Sequence, residues 1–141
     1  MQVKDLLFLP EDVFVIQFED LTFGVVILIT TFREGRILYY AFAEVILRTE
    51  TKPTLEDVLR CQVYARKNLG FDSIKTVSHK NLLTFKDKFE KIGSVKIRQS
   101  NKRMGTYGGD SYTFEEFCDD WNDAGSRAAK KKKSNLIDLL D

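Results

Sequence analysis

The fold is decided by residues 12–47, which read DVFVIQFE over 12–19, TFGVVILITTF over 22–32 and RILYYAFAEVIL over 36–47. All three runs are rich in β-branched and aromatic residues, a composition typical of strands. Their connections are two and three residues long, which permits antiparallel hairpins and excludes the longer crossovers of parallel pairs. These runs predict a three-stranded meander. Gly24, within the second run, predicts a bulge or bend that lets the sheet curl.

The middle of the chain predicts one short helix and further strands. After Lys52-Pro53-Thr54, apolar residues at helical spacing predict a helix from residue 55 to about residue 61. Residues 61–69 fit either a helix or a strand. Further strands are predicted at residues 73–78, 82–89 and 94–99, with Gly93 in the turn between the last two and a glycine-rich loop at 100–112.

A capping box starts the second predicted helix at Thr113-Phe114-Glu115-Glu116. One helical face then carries the apolar residues Phe114, Phe117, Cys118 and Trp121, and Gly125 provides a stop after about residue 124. The predicted fold is therefore α+β: a curled antiparallel β-sheet, with an N-terminal three-strand meander and a later hairpin, and two short helices.

Two regions are predicted along the chain, a single α+β domain over residues 1–126 and a basic and apolar C-terminal tail over 127–141. The tail carries five basic and two acidic side chains, whereas residues 1–126 carry 17 basic and 19 acidic ones. Two states of the tail remain open. It is either solvated, or its apolar residues form one helical turn that docks on this domain or on a partner; these are Leu136, Ile137, Leu139 and Leu140.

Composition places the chain among globular proteins of a reducing compartment. It has 141 residues, of which 43% are hydrophobic and 30% charged, with a net charge of +1. Cys61 and Cys118 are far apart and form no CxxC pair. The longest apolar run, residues 23–31, is too short to span a bilayer. A cytoplasmic protein without a membrane partner is predicted.

No catalytic or metal-binding constellation is visible. His79 is the only histidine, and no nucleophile or orienting carboxylate stands near it in sequence. One histidine and two separated cysteines give no zinc-ligand spacing. Residues 105–109 match neither the P-loop nor the dinucleotide-binding pattern. We therefore predict no enzymatic activity, no catalytic residues and no metal or other cofactor.

Charge is strongly segregated along the second half of the chain. Residues 80–103 carry eight basic and two acidic side chains, whereas residues 110–123 carry six acidic ones and no basic one. The acidic set is Asp110, Glu115, Glu116, Asp119, Asp120 and Asp123. Either the two segments neutralise each other, or one of them is a recognition surface.

Part of the chain resembles the bacterial immunity protein 26 family of polymorphic toxin systems. Residues 11–18 (EDVFVIQF) and 22–26 (TFGVV) are similar to the opening strand pair of that family. Shorter similarities lie at residues 53–58 (PTLEDV), which are like its middle helix, and at 108–118, which include its late turn and Thr-x-Glu-Glu helix start. The chain departs from the family at residues 91–95, where KIGSV replaces a strand that carries Trp.

The resemblance implies a curled antiparallel α+β protein that binds and neutralises a cognate antibacterial toxin. Toxins of the nuclease class have basic active sites, so the acidic set is the predicted partner-binding site. A homo-oligomer is also compatible with the sequence.

Two alternatives stay open. One is a nucleic-acid-binding, β-barrel-like module that stacks bases on Phe85 and Phe89 among the basic residues, although the acidic balance of residues 1–126 argues against nucleic acid as a partner. The other is an adaptor that displays the leucine-aspartate peptide LIDLL of the tail.

Overall fold

The predicted meander forms the centre of the sheet. The computed structural model describes residues 5–103, 107–121 and 132–141. In it, β1 (Asp12–Gln17), β2 (Phe23–Glu34) and β3 (Ile37–Ile46) pair antiparallel in chain order. Glu34 pairs with Ile37 across a two-residue turn, in which Gly35 has φ +62°. This conformation favours glycine, so the turn fixes the register of the hairpin.

The outer side of β3 has two different partners, and this curls the sheet. Its first half, Tyr39 to Ala43, pairs with β6 (Ile74–Ser78), whereas Val45 and Ile46 pair with β4 (Gln62–Arg66). The segment that fitted either a helix or a strand is therefore mainly a strand.

The remaining strands lie around this core. They are β5 (Gly70–Phe71) beside β4, β7 (Glu90–Ser94) beside β1, β8 (Tyr107–Asp110) parallel to β6, and β9 (Lys133–Asn135) beside β4. Among the described residues, the main path of the sheet is open, with β5 and β7 at its ends.

The described residues form three short helices, which are α1 (Leu55–Leu59), α2 (His79–Phe85) and α3 (Phe114–Cys118). The α+β class is confirmed, and α2 corrects the strand predicted over 82–89. The Ser78 hydroxyl caps α2 by accepting from the Asn81 backbone N–H at 3.4 Å. Leu82, Phe85 and Phe89 are three and four residues apart and all buried, which is helical rather than strand spacing.

The later hairpin was also predicted wrongly. Gly93 lies inside β7, paired with Val13 and with φ +157°, rather than in a turn. A Cβ at Gly93 would lie 2.7 Å from Leu55 Cδ2, so the glycine lets α1 pack closely on β7. The strand predicted over 94–99 is not formed, because β7 ends at Ser94 and only Ile97 makes an isolated bridge, to Leu140; the loop predicted over 100–112 contains β8.

The bulge in β2 lies at Ile29, where the register to β3 shifts, and not at Gly24 as predicted. Gly24 pairs regularly with Ile16. A Cβ there would lie 2.8 Å from ring carbons of both Phe18 and Trp121. The glycine is needed because two aromatic rings pack directly on the backbone at this point.

The two faces of the sheet bury two separate clusters. The aliphatic cluster lies under α1, β4 and the C-terminal segment, and it includes Val25, Ile27, Val45, Val63 and Leu136. The aromatic cluster lies under α2, α3 and residues 6–8, and it includes Phe14, Phe42, Phe85, Phe89 and Phe117. In the described part of the chain, no helix is long and apolar enough to cross a membrane.

The C-terminal segment belongs to the core. β9 pairs with β4, and a 3-10 turn, Leu136–Leu139, follows it. Leu136 and Leu139 are both 0% exposed, and the Asn101 side-chain amide donates to the Leu139 carbonyl at 3.0 Å. Of the two predicted states of the tail, residues 132–141 adopt the docked one. Residues 127–131 lie outside the described residues.

Candidate partner-binding site

The site is built on α3, whose start follows the predicted cap with one change. The Thr113 hydroxyl accepts from the Glu116 backbone N–H at 3.1 Å. The Glu116 carboxylate accepts from the backbone N–H of Tyr112, also at 3.1 Å, instead of that of Thr113. The first bond satisfies an N–H group that a helix start leaves without a partner, and the second ties the residue before the N-cap to the first turn, so the short helix is capped.

The helix ends earlier than predicted. Its C-cap is Asp119, with extended backbone (φ −61°, ψ 145°), and Asp120 follows at φ +53°. Aspartate tolerates this left-handed conformation better than most residues. Trp121 therefore follows a sharp turn rather than continuing the helix, and residues 122–124 of the predicted helix lie outside the described residues.

Aromatic contacts anchor α3 on the sheet. Phe117 is fully buried, with its ring centroid 5.4 Å from that of Phe42 and 5.2 Å from that of Phe89, both in edge-to-face geometry. Phe114 packs on Phe85 and Phe89 at 6.0 and 6.3 Å. Such pairs contribute about 0.5–1.5 kcal/mol each beyond the burial of area, so the helix is held in one orientation.

Trp121, predicted on the apolar face of the helix, lies beyond the end of α3 and packs on the aromatic cluster, where it is partly buried. Its ring lies 5.1 Å from that of Phe18 at an interplanar angle of 68°. The indole Nε1 is buried and has no hydrogen-bond partner in the described part of the chain.

Lys75 on β6 fixes the other end of α3. Its Nζ donates to the backbone carbonyl of Asp119 at 2.6 Å and lies 3.3 Å from the buried carboxylate of Glu44. The same ammonium is 5.9 Å from the ring centroid of Phe117 and 6.0 Å from that of Trp121, within range of a cation–π attraction. Lys75 therefore neutralises Glu44 and leaves the side-chain carboxylate of Asp119 free of an ion pair among the described residues.

Four of the six predicted acidic residues form one exposed row at α3. Glu115, Glu116, Asp119 and Asp120 are all exposed. Within the described ranges, no lysine or arginine nitrogen lies within 4.0 Å of their carboxylates. We call these four residues the acidic row.

The other two acidic residues are not part of the row. Asp110 is partly buried and accepts from the Ser78 backbone N–H at 2.7 Å and from the Asn81 side-chain amide at 2.8 Å. It thus ties β8 to the start of α2. Asp123 lies outside the described residues.

The basic residues of segment 80–103 form their ion pairs with carboxylates outside the acidic row. Lys91 is 3.2 Å from Asp12, and Lys102 is 3.1 Å from Glu11. Lys88 comes near α3, but through the ring of Phe114, at 6.0 Å from its centroid. Among the described residues, mutual neutralisation of the basic segment and the acidic row is therefore not observed.

Side chains on which the two alternative functions depended are buried. Phe85 and Phe89 are 6% and 7% exposed, inside the aromatic cluster, so their faces are not available to bases. Leu136 and Leu139 of the leucine-aspartate peptide lie in the aliphatic cluster. A partner could reach these leucines only after the segment had left the core.

Two aromatic features do not follow from the sequence patterns above. Phe32 and Tyr39 stack across the β2–β3 hairpin at 5.3 Å between centroids, and Tyr112 is 66% exposed at the start of α3. Counting outward from the two-residue turn after Glu34 would have paired Phe32 with Tyr39. In the described residues, no group of three His, Cys, Asp or Glu side chains is placed to hold a metal ion.

Comparison with family models, curated proteins and solved structures finds no match for this chain. The resemblance to the immunity protein 26 family therefore stays a prediction.

Proposed function

We propose that this chain is a toxin-immunity protein that binds and neutralises a cognate antibacterial toxin, with α3 as the contact element. The observation that carries the proposal is the acidic row. Its carboxylates are exposed, lie on the capped helix (Glu115, Glu116) or directly after it (Asp119, Asp120), and have no basic ion-pair partner among the described residues.

The clustering of these charges has a cost for the free protein. The four carboxylates lie within six consecutive residues, two on α3 and two directly after it, so their like charges repel one another. A basic surface on a partner would relieve this repulsion. Because α3 is already fixed by Phe117 and Lys75, little side-chain and backbone freedom is lost when it binds.

A nuclease toxin is the partner class that fits best. An active site that holds phosphate presents basic side chains, and a rigid row of carboxylates is complementary to it. Opposite charges of this kind accelerate association and suppress wrong partners. In this proposal the protein acts in the cytoplasm of the toxin-producing cell, where its two free cysteines, Cys61 and Cys118, stay reduced.

The proposal predicts a toxin gene beside the gene for this chain, and co-expression of the two tests it. We expect the wild-type chain to restore growth of a bacterium that produces the toxin. The variant Glu115→Lys/Asp119→Lys should fail to do so, because it reverses two charges of the row and leaves the positive-φ Asp120 unchanged. The matched control is Glu50→Lys/Asp138→Lys, which changes the same charge at two exposed positions in other parts of the chain.

Thermal melts of the three proteins accompany the growth assay, so that a folding defect is recognised. For the purified pair, the variant should lose several kcal/mol of binding free energy and associate more slowly. Lack of rescue by the wild-type chain, or the absence of a neighbouring toxin gene, would overturn the function. Full rescue by the α3 variant would remove α3 as the contact element.

A further inference from the structure

The turn between β1 and β2 presents an apolar side chain to solvent. Leu21 is 70% exposed, more than any other large apolar side chain that the structure describes. Single exposed leucines are common on protein surfaces and need no explanation by themselves. Leu21 differs from the others in its backbone conformation.

Leu21 has a left-handed backbone, with φ +71°. This conformation is sterically unfavourable for a bulky side chain, whereas glycine and asparagine adopt it readily. The other non-glycine residues with positive φ in the described part of the chain are all polar; they are Glu11, Asn68, Ser73 and Asp120. Leu21 therefore strains the backbone, and its exposed side chain gains little from burial in the free protein.

Hydrogen bonds hold the turn in this conformation. The backbone N–H of Phe18 donates to the Thr22 carbonyl at 2.8 Å, and that of Leu21 donates to the Phe18 carbonyl at 2.9 Å. The Asp20 carboxylate accepts from the backbone N–H and the hydroxyl of Thr22, at 3.0 and 2.6 Å. The Arg48 guanidinium donates to Asp20 at 2.9 Å and lies 4.2 Å from the ring centroid of Phe18. The turn thus presents Leu21 in one position, so little conformational freedom is lost when a partner covers it.

The β1–β2 turn lies beside the end of the acidic row. The ring of Phe18, which starts the turn, packs edge-to-face on Trp121 at 5.1 Å between centroids. Trp121 directly follows Asp120, the last residue of the row. A partner surface that covers the end of the acidic row is therefore close to the β1–β2 turn as well.

Negative charge accompanies Leu21 in the turn. Glu19 is exposed, and within the described ranges no lysine or arginine nitrogen lies within 4.0 Å of its carboxylate. Arg48, the cation of this turn, is paired with Asp20 at 2.9 Å. The surroundings of Leu21 are thus complementary to an apolar pocket with basic side chains at its rim.

We infer that Leu21 is the apolar anchor of the toxin interface and inserts into a pocket, bordered by basic side chains, on the same toxin that α3 contacts. The inference rests on the proposed function and adds a contact of different chemistry to it. Interfacial ion pairs gain little net affinity because their charges lose hydration, whereas burial of a leucine side chain is favourable. Strained backbone conformations are concentrated at sites of ligand contact, so the inference also explains why a leucine stands where asparagine or glycine would be more stable.

Thermal melts and calorimetric titrations of the full chain test the inference. The probe for the titrations is the toxin encoded beside the gene, purified as a variant without toxic activity. Leu21→Asn removes the apolar side chain and suits the left-handed backbone. We expect its melting temperature to rise by about 2–4 °C, because the strain is relieved. Its affinity for the toxin should fall by about 10- to 100-fold, because the apolar anchor is lost.

Two control variants separate the side chain from the strain and from exposure alone. Leu21→Met keeps an apolar side chain on the same left-handed backbone, so it should retain most of the affinity and the melting temperature of the wild type. Leu69→Asn removes another exposed leucine, 57% exposed and outside the β1–β2 turn. It should change neither the melting temperature nor the affinity.

Four outcomes would overturn the inference. A melting temperature of Leu21→Asn below that of the wild type would show, without the toxin, that Leu21 serves the fold. Full affinity of Leu21→Asn, together with weak binding by Glu115→Lys/Asp119→Lys, would remove Leu21 from the interface and leave the proposed function standing. Lack of toxin binding by the wild type would overturn both. Self-association of the wild type that Leu21→Asn abolishes would show that a second copy of the chain covers Leu21.

Discussion

The Tyr40 hydroxyl lies 2.9 Å from Nδ1 of His79 and accepts from the backbone N–H of Leu7 at 3.0 Å. The oxygen accepts from Leu7 and carries its own proton, so both contacts are satisfied when that proton is donated to Nδ1 of His79. His79 is partly buried at the start of α2, and Tyr40 connects it to the N-terminal residues that cover the aromatic cluster.

Tyr40→Phe tests this link. The substitution keeps the buried ring and leaves the Leu7 N–H and the His79 Nδ1 without their partner. We expect a loss of about 1–3 kcal/mol of unfolding free energy in a denaturant titration near pH 7. Tyr39→Phe, on the neighbouring and more exposed residue, is the control and should change stability by less than about 0.5 kcal/mol. A loss below about 0.5 kcal/mol for Tyr40→Phe would show that the Tyr40 hydrogen bonds contribute little to stability.

The difference in unfolding free energy between wild type and Tyr40→Phe should also depend on pH. Burial raises the pKa of the Tyr40 hydroxyl above its ordinary value of 10.0, and the hydrogen bond from Leu7 opposes this. A group with a raised folded-state pKa stabilises the fold fully below its unfolded pKa, and this contribution disappears as the pH rises through the folded value. We therefore expect the stability difference between wild type and Tyr40→Phe to be constant between about pH 7.5 and pH 9 and to shrink above pH 10. A difference that grows above pH 10 would contradict this.

Cys118 should be nearly unreactive in the folded protein. Burial raises the pKa of its thiol from 9.0 to about 12, although the positive charge of Lys75 acts in the opposite direction. The thiolate fraction near pH 8 is then lower by roughly a thousandfold than for an ordinary cysteine. In a Cys61→Ser background, iodoacetamide should label Cys118 slowly in buffer and at the usual rate in denaturant. Fast labelling of the native protein would show that the C-terminal end of α3 opens.

Gly24→Ala should destabilise the protein by about 1–3 kcal/mol, because the added methyl meets the rings of Phe18 and Trp121. Gly109→Ala is the matched control, since a Cβ there has no neighbour within 4 Å. Unfolding free energies of both variants, measured in the same denaturant, make the comparison. If Gly24→Ala were neutral, Trp121 would not rest on β2.

The C-terminal segment should be essential for stability. Leu136→Ala removes a fully buried side chain of the aliphatic cluster, and we expect a loss of about 2–5 kcal/mol. Ile137→Ala, at a neighbour that is 61% exposed, should have little effect. Deletion of residues 132–141 should abolish cooperative unfolding, because it removes β9 and opens the aliphatic cluster. A truncated protein that unfolds cooperatively would restore the solvated-tail interpretation.

Sequence reasoning succeeded where the determining contacts are local. The meander follows from short connections, and the cap of α3 follows from residues three apart. It failed where a distant residue decides the outcome. Asp110 looked like an exposed member of the acidic set, but its partners, Ser78 and Asn81, are 32 and 29 residues away.

Similar long-range contacts explain the two largest corrections. Residues 82–89 have a composition typical of a strand. Residues 82–85 instead belong to α2, because a helix places Leu82 and Phe85 together in the aromatic cluster. Leu136 directly follows β9, which pairs with β4, a strand about 70 residues earlier in the chain. No residue close to Leu136 in the sequence indicates this pairing.

The pairing of β9 with β4 also has a consequence for biosynthesis. Leu136 and Leu139 cover one side of the aliphatic cluster. They leave the ribosome after all of the described strands. Until then the nascent chain exposes the apolar surface that these leucines will cover. Domains generally fold as units during synthesis, and transiently exposed apolar surface makes such intermediates prone to aggregation. We therefore expect the nascent chain to stay prone to aggregation after the meander has formed. This tendency should end when residues 133–140 leave the ribosome and cover the aliphatic cluster.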